Sequence, residues 1–440
     1  MKKNLLYIFA LITLLFGCKK NDDYIFDESP DARVNKALAA LESQLTDASN
    51  GWKVLLFPTG GKGYGFYMSF NKENRVTMYS DFNDSQGTVS KESSYRLKAM
   101  QQPALIFDTY SYIHYLSDPD PSVNAGTAGQ GLNSDFEFGY SPSENTSTDT
   151  IKLFGRFKGS SIVLIKATAD EAAKYKAAAL TAQRTNLTTY VSTNSYSVLE
   201  LPNGSKQEAS ISLSSKSFSL SYLEGGQLVS FSTSFGFTAN GLYLKDPIGY
   251  AGKDYYEVFF SDARKLYYLV IDGKEVYINP SATPLIPIYF NINKTFDIFS
   301  IPGPTGLPGS STEFSTKLAL VRTGLLTSGY NLTFQYWDIE FNSAAGLADI
   351  IVYFSQGTSM FAGVYNLSYT LSSTGEFKFT YIGPGNGNAG LVPVQNAIAP
   401  LMNHFRNDKF TMDYYNNAGN ILGIMKSVEN PTMFFTGNLE

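Results

Sequence analysis

Four carboxylates, Asp118, Asp120, Asp135 and Glu137, carry the most chemistry that this sequence offers in one stretch. Asp118-Pro119-Asp120-Pro121 holds two acids in a proline-stiffened segment. Asp135-Phe136-Glu137 puts two acids on one face if the segment is a strand. Gly126, Gly129 and Gly131 lie between the pairs and leave the backbone free to fold them together. Such acids accept hydrogen bonds from sugar hydroxyls, or they surround a hard cation such as Ca²⁺. Tyr110, Tyr112 and Tyr115 stand just upstream as an apolar platform for a pyranose ring. Trp337 is a second platform if it faces outward from the alternating stretch Tyr336-Trp337-Asp338. The expected ligand site is therefore Asp118, Asp120, Asp135 and Glu137 with Tyr112 and Tyr115, and Trp337 is the next candidate. No cofactor is required, and Ca²⁺ is the one that the acids admit.

Catalysis is constrained more by what is missing. The same acids admit carboxylate-based glycoside hydrolysis, which needs two carboxyl groups roughly 5 to 10 Å apart. His114 and His404 are the only histidines, so H-E-x-x-H zinc chemistry cannot occur, and each reads as a structural residue. There is no G-x-S-x-G, no phosphate-binding P-loop and no G-x-G-x-x-G after a strand. Asp81-x-Asn83-x-Ser85 begins like a calcium loop but has Gln86 where glycine is needed. No catalytic residue is assigned, and the balance leans against an enzyme.

The elements that position these residues are mostly strands. Aromatic residues make up 15% of the chain and charged residues 17%, a balance that suits pleated faces. Ser29-Pro30-Asp31 starts a helix with a capping serine, a proline in the first turn and an acid. Strand-like runs follow it, and residues 117–149 read as one long loop. Thr168-x-x-Glu171 is a capping box for a second helix, expected to run to about Tyr190. Asp272-Gly273 between alternating runs marks a hairpin.

An internal repeat divides the chain. Val54-Leu55-Leu56-Phe57-Pro58-Thr59-Gly60-Gly61-Lys62 matches Val198-Leu199-Glu200-Leu201-Pro202-Asn203-Gly204-Ser205-Lys206. Each copy follows a helix, which predicts two related modules of one helix and an antiparallel sheet, over residues 30–168 and 169–300. Ile301 to Gly309 has glycine at every third position and reads as a stiff linker over 301–312. A β-rich module over 313–440 completes a mainly β fold with a few helices. Within it, Val394 to Phe405 has helical spacing, although Pro400 is expected to break or kink it.

The first residues are an address. Lys2 and Lys3 precede an apolar run from Asn4 to Phe16, too short for a bilayer core of about 30 Å. Residues 1–17 thus read as a signal peptide. Leu15-Phe16-Gly17-Cys18 resembles the bacterial lipobox, with Phe16 bulkier than usual. That resemblance places a lipid on Cys18, the chain's only cysteine, and makes 18–29 an anchor and tether. Lys19-Lys20-Asn21-Asp22-Asp23 resembles the signal that carries Bacteroidota lipoproteins to the cell surface. The net charge is −5, and loss of Lys2 and Lys3 with the leader leaves −7. An acidic chain without a basic block argues against nucleic acid as a partner.

The lipobox, then Phe26-Asp27-Glu28-Ser29-Pro30-Asp31-Ala32-Arg33, then Leu41-x-x-x-Leu45 and Gly51-Trp52, resembles a Bacteroidota surface lipoprotein family of unknown function. Its members begin F-D-x-x-x-x-x-R. The resemblance implies an outer-membrane location and genes near starch-utilisation-type receptor systems, and it supplies no catalytic residues. The expected function is a non-catalytic glycan- or nutrient-binding component of such an uptake system. The alternatives are a carboxylate-based glycoside hydrolase, or a scaffold that packs against the outer-membrane receptor.

Overall fold

The computed structural model describes residues 28–100, 102–303 and 305–440. The lipobox with Cys18 and the tether as far as Phe26-Asp27 lie outside the described residues. Among the described residues, antiparallel strands close into three barrels of eight. Each strand pairs with its neighbours in sequence, and the first pairs with the last. In the first barrel, Trp52–Phe57 meets Ser161–Lys166 with Val54 opposite Leu164. The second closes where Tyr196–Glu200 meets Lys274–Ser281, with Leu199 opposite Ile278. The third closes where Ile298–Ile301 meets Phe434–Leu439, with Phe299 opposite Leu439. Closure leaves no sheet edge to template association. By contacts the chain forms two compact units. One ends at Ala182 and takes in Gly236–Ala239, and the other comprises Gln183–Phe235 and Asn240–Glu440.

Local chemistry explains the helices. Ser29 Oγ accepts from Ala32 N at 3.2 Å and starts the helix Pro30–Thr46. Leu41 and Leu45 of that helix are buried in the first barrel's core beside Trp52, whose Nε1 donates to Leu45 O at 3.0 Å. Thr168 and Glu171 form the reciprocal capping box. The helix they open stops at Lys176, turns through Ala178 at φ 67°, and resumes over Ala179–Thr193. Val54 and Val198 both lie on the first strand of a barrel that follows a helix, and Pro58 and Pro202 stand just past those strands. The two related modules are therefore present, each closed into a barrel. Asp272 and Gly273, with φ of 49° and 76°, turn a hairpin in which Ile271 faces Lys274.

The third barrel is built differently. Its first strand, Ile298–Ile301, precedes the Pro/Gly segment, so that segment is a loop inside this barrel and not a linker between modules. Only pairing with Thr333–Asn342 and with the C-terminal strand reveals this, and both partners are distant in sequence. The helix Thr312–Leu326 follows the loop. A second helix, Val392–Asn407, runs through Pro400 without stopping. Ala397, Ile398, Leu401, Met402 and Phe405 bury one side of it, and that burial outweighs the hydrogen bond lost at Pro400. The two helices pack closely: a Cβ added at Gly324 would lie 2.8 Å from Ala397 Cα.

Candidate functional site

The structure gives the four expected acids separate structural tasks. Asp135 is 2% exposed. Its Oδ1 accepts from the backbone N–H of Phe157 and Lys158 at 2.8 and 2.9 Å. Its Oδ2 accepts from the N–H and the hydroxyl of Ser160 at 3.1 and 2.8 Å. This carboxylate braces a turn and has no capacity left for a ligand. Glu137 faces Arg156, 3.4 Å away. Asp120 caps the short helix Pro121–Asn124 through Ser122 N at 2.9 Å. Asp118 accepts from Asp120 N at 3.0 Å and from the Tyr110 hydroxyl, which holds its carboxyl below the ordinary value. Among the described residues no group of three or more His, Cys, Asp or Glu is placed to hold a metal ion. The four acids therefore do not come together as the cluster that would have admitted Ca²⁺.

The expected aromatic platforms are also engaged. Tyr112-Ile113-His114-Tyr115 forms one helical turn. Tyr112 is buried and donates to Val89 O at 2.9 Å. Lys91 Nζ lies 5.1, 5.8 and 5.5 Å from the ring centroids of Tyr110, Tyr112 and Tyr115. The chain thus fills this cage with its own cation, an attraction of about 0.5–2 kcal/mol per favourable ring. Trp337 is 2% exposed and packs on Phe314, Phe405 and Phe435. It faces the core, so it offers no platform. Both histidines are held by hydrogen bonds to their own surroundings. His114 accepts from Ser111 N at Nδ1, so Nε2 donates to Phe107 O at 3.1 Å, and burial holds its pKa below the ordinary value. His404 Nδ1 bonds Asp408 Oδ2 at 2.7 Å.

A different arrangement stands on the outer face of the third barrel. On strand Thr333–Asn342, Trp337, Ile339 and Phe341 belong to the core, so Tyr336, Asp338 and Glu340 point away from it. On Leu347–Gln356, Ala348, Ile350, Val352 and Phe354 face in, which turns Asp349, Ile351 and Tyr353 out. Register then builds three rows. Glu340 lies opposite Asp349, and Asp349 opposite Asn366. Asp338 lies between Ser300 and Ile351. Tyr336 lies opposite Tyr353, their rings stacked with centroids 4.2 Å apart. Asn366 Nδ2 donates to Asp349 Oδ1 at 2.6 Å. A groove of about 470 Å³ opens over the first row, lined by Glu340, Asp349 and Asn366, with Leu347 and Ile382 as apolar lining. The stacked tyrosines stand four residues along the strand, about 13 Å at ~3.3 Å per residue.

The electrostatics of this face are one-sided. Burial raises the Glu340 pKa, and the Asp338, Asp349 and Asp297 carboxylates raise it further. Burial raises Asp338, against a hydrogen bond from Ser300 that lowers it. Asp338 is 7% exposed, and its Oδ1 has no hydrogen-bond partner among the described residues. Burial, then Asp338, Tyr336 and Glu340, raises the Tyr353 hydroxyl. Among the described residues no Lys or Arg forms an ion pair with Asp338, Glu340 or Asp349. Carboxylates, a carboxamide, stacked rings and aliphatic side chains can together bind a polyhydroxylated ring. The sequence carried the signal as two period-two patterns, Tyr336-x-Asp338-x-Glu340 and Asp349-x-Ile351-x-Tyr353. Only strand register aligns the first with the second.

A family model described as "Domain of unknown function (DUF4302)" matches residues 22–262, more than half of the chain. The match takes in the first barrel and most of the second, and the groove lies beyond it. No curated protein matches the chain.

Proposed function

The chain belongs to the DUF4302 family, and from that premise we propose that it is a cell-surface lipoprotein holding a glycan for an outer-membrane uptake system. The N-terminal residues support the address, because the lipobox-like Leu15-Phe16-Gly17-Cys18 contains the only cysteine. One observation carries the binding role: the row Glu340–Asp349–Asn366 lines an open groove in line with the Tyr336–Tyr353 stack. The carboxylates accept hydroxyl hydrogen bonds, Asn366 both donates and accepts, and the rings and aliphatic side chains cover a sugar's apolar face. An open outer face suits a chain that passes across it.

A second reading, glycoside hydrolysis, has one observation in its favour. Glu340 faces Asp349 from a directly paired position, where Cβ atoms stand about 5 Å apart, and its pKa is raised as a general acid requires. The two readings separate on one assay. Binding without release of reducing ends supports the glycan holder, whereas release that disappears in Glu340→Gln supports the enzyme. The address is tested independently. Cys18→Ala is expected to move the protein out of the membrane fraction, and an unchanged outer-membrane fraction would refute the lipid anchor.

A further inference from the structure

We infer that the first barrel touches the bilayer through a basic and aromatic patch at the turn 156–160, and that its partner there is a lipid surface with anionic headgroups. This rests on the membrane address proposed above and adds the face that meets the membrane. It concerns residues that the glycan reading does not use.

The turn carries Arg156-Phe157-Lys158. Phe157 is 71% exposed, more than any other large apolar side chain among the described residues. The turn that presents it is fixed, because the Asp135 carboxylate accepts from the N–H groups of Phe157, Lys158 and Ser160. A ring held out in water gains free energy wherever an apolar phase covers it. The Arg156 guanidinium lies 5.7 Å from the centroid of that ring and reaches the sulfur of Met100, itself exposed.

The adjoining barrel wall continues the pattern. Lys98 lies opposite Ala104, Ala104 opposite Gly139, and Gly139 opposite Phe154. Leu105, Phe138 and Leu153, each next to one of these residues, belong to the core, so the row faces outward. A Cβ added at Gly139 would lie 2.4 Å from the Phe154 ring, which therefore covers the glycine and is exposed on its far side. Lys152 stands two residues along the same strand. The ammonium groups of Lys98, Lys152 and Lys158 form no ion pair or hydrogen bond among the described residues. The carboxylate of Glu137 is paired with Arg156. Three uncompensated cations thus stand around Phe154, Phe157 and Met100 in a chain whose net charge is −5.

Lysines beside exposed rings suit a headgroup layer, where the ammonium groups meet phosphates and the rings enter the acyl boundary. The length of chain before the first helix favours a bilayer over an acidic protein. Ten residues lead from Cys18 to Glu28 and span at most about 35 Å, so a lipid on Cys18 keeps this barrel beside the membrane. Each lysine near an anionic surface strengthens the contact roughly fivefold. Such a contact orients the barrel and is too weak to replace the lipid at physiological salt.

The test is flotation, at low salt, of the full mature chain carrying Cys18→Ala and therefore no lipid. The probes are vesicles of phosphatidylcholine alone, and of phosphatidylcholine with phosphatidylglycerol in equal parts. The mixed vesicles are expected to bind the chain about tenfold more strongly or better, with the preference shrinking as salt is raised. Lys98→Ala/Lys152→Ala/Lys158→Ala should abolish the preference, and Phe157→Ala should weaken binding several-fold. All four side chains are exposed, so melting temperatures should stay unchanged. Equal binding to the two vesicles, a preference that survives in the folded triple variant, or undiminished binding by Phe157→Ala would overturn the inference. Binding to neither vesicle would overturn it as well and leave the patch to a protein partner. The anchor itself stands or falls separately, on the membrane fractionation of Cys18→Ala.

Discussion

At the scale of single residues, Asp135 is a carboxylate whose whole hydrogen-bonding capacity is spent on one turn. Asp135→Ala would leave the N–H groups of Phe157, Lys158 and Ser160 without their acceptor. The expected loss is about 3 kcal/mol, read from the denaturant midpoint of unfolding, while Asp118→Ala should cost much less. A loss for Asp135→Ala no larger than that for Asp118→Ala would contradict the bracing role. Asp338 behaves in the opposite way. Its folded pKa is raised, so the folded protein binds its proton more tightly than the unfolded chain does. The penalty is absent below the unfolded pKa and complete above the folded one. Asp338→Asn is therefore expected to melt higher than the wild type at neutral pH. The gain should fade as pH falls toward the ordinary carboxylate range of about 4. A gain independent of pH, or a loss at neutral pH, would contradict the buried-charge account. The residue types were legible from the sequence, but side-chain direction was not. Asp118, Asp120, Asp135 and Glu137 look alike in a string of letters, and the turn at 156–160 that consumes Asp135 lies more than twenty residues away. Trp337 faces the core while its neighbours Tyr336 and Asp338 face out.

At the scale of elements, what is local was readable and what is paired across distance was not. The Ser29 cap, the Thr168–Glu171 box and the Asp272-Gly273 hairpin each depend on a few adjacent residues, and each is present. The local pattern around Ile298–Ile301 does not show its module, because its partners lie in Thr333–Asn342 and Phe434–Leu439. Pro400 does not break its helix because the apolar side of that helix is buried by tertiary contacts. That helix supplies a direct test. Gly324→Ala would force the Thr312–Leu326 and Val392–Asn407 helices apart, since the new methyl meets backbone 2.8 Å away. The expected cost is about 1–3 kcal/mol, whereas Gly390→Ala, which meets nothing within 4 Å, should change stability by less than about 0.5 kcal/mol. Thermal melts of the two variants decide it, and equal stability would refute the close helix packing.

At the scale of the whole molecule, closed barrels of eight strands have interiors that side chains can fill. The third barrel's core cluster, from Phe299 through Trp337 to Phe435, includes residues of the helices Thr312–Leu326 and Val392–Asn407. The proposed ligand site accordingly lies on the outside, where strand alternation sets polar residues in rows. The family match ends before this barrel begins, so the groove is a feature of this chain beyond the matched residues. The most direct test of the central claim is a glycan-array measurement on the mature chain, wild type against Tyr336→Ala/Tyr353→Ala. The account predicts that the wild type binds at least one glycan class and that the double variant, with unchanged melting, binds it about tenfold more weakly or less. Undiminished binding by the folded double variant, or no binding of any glycan by the wild type, would contradict it.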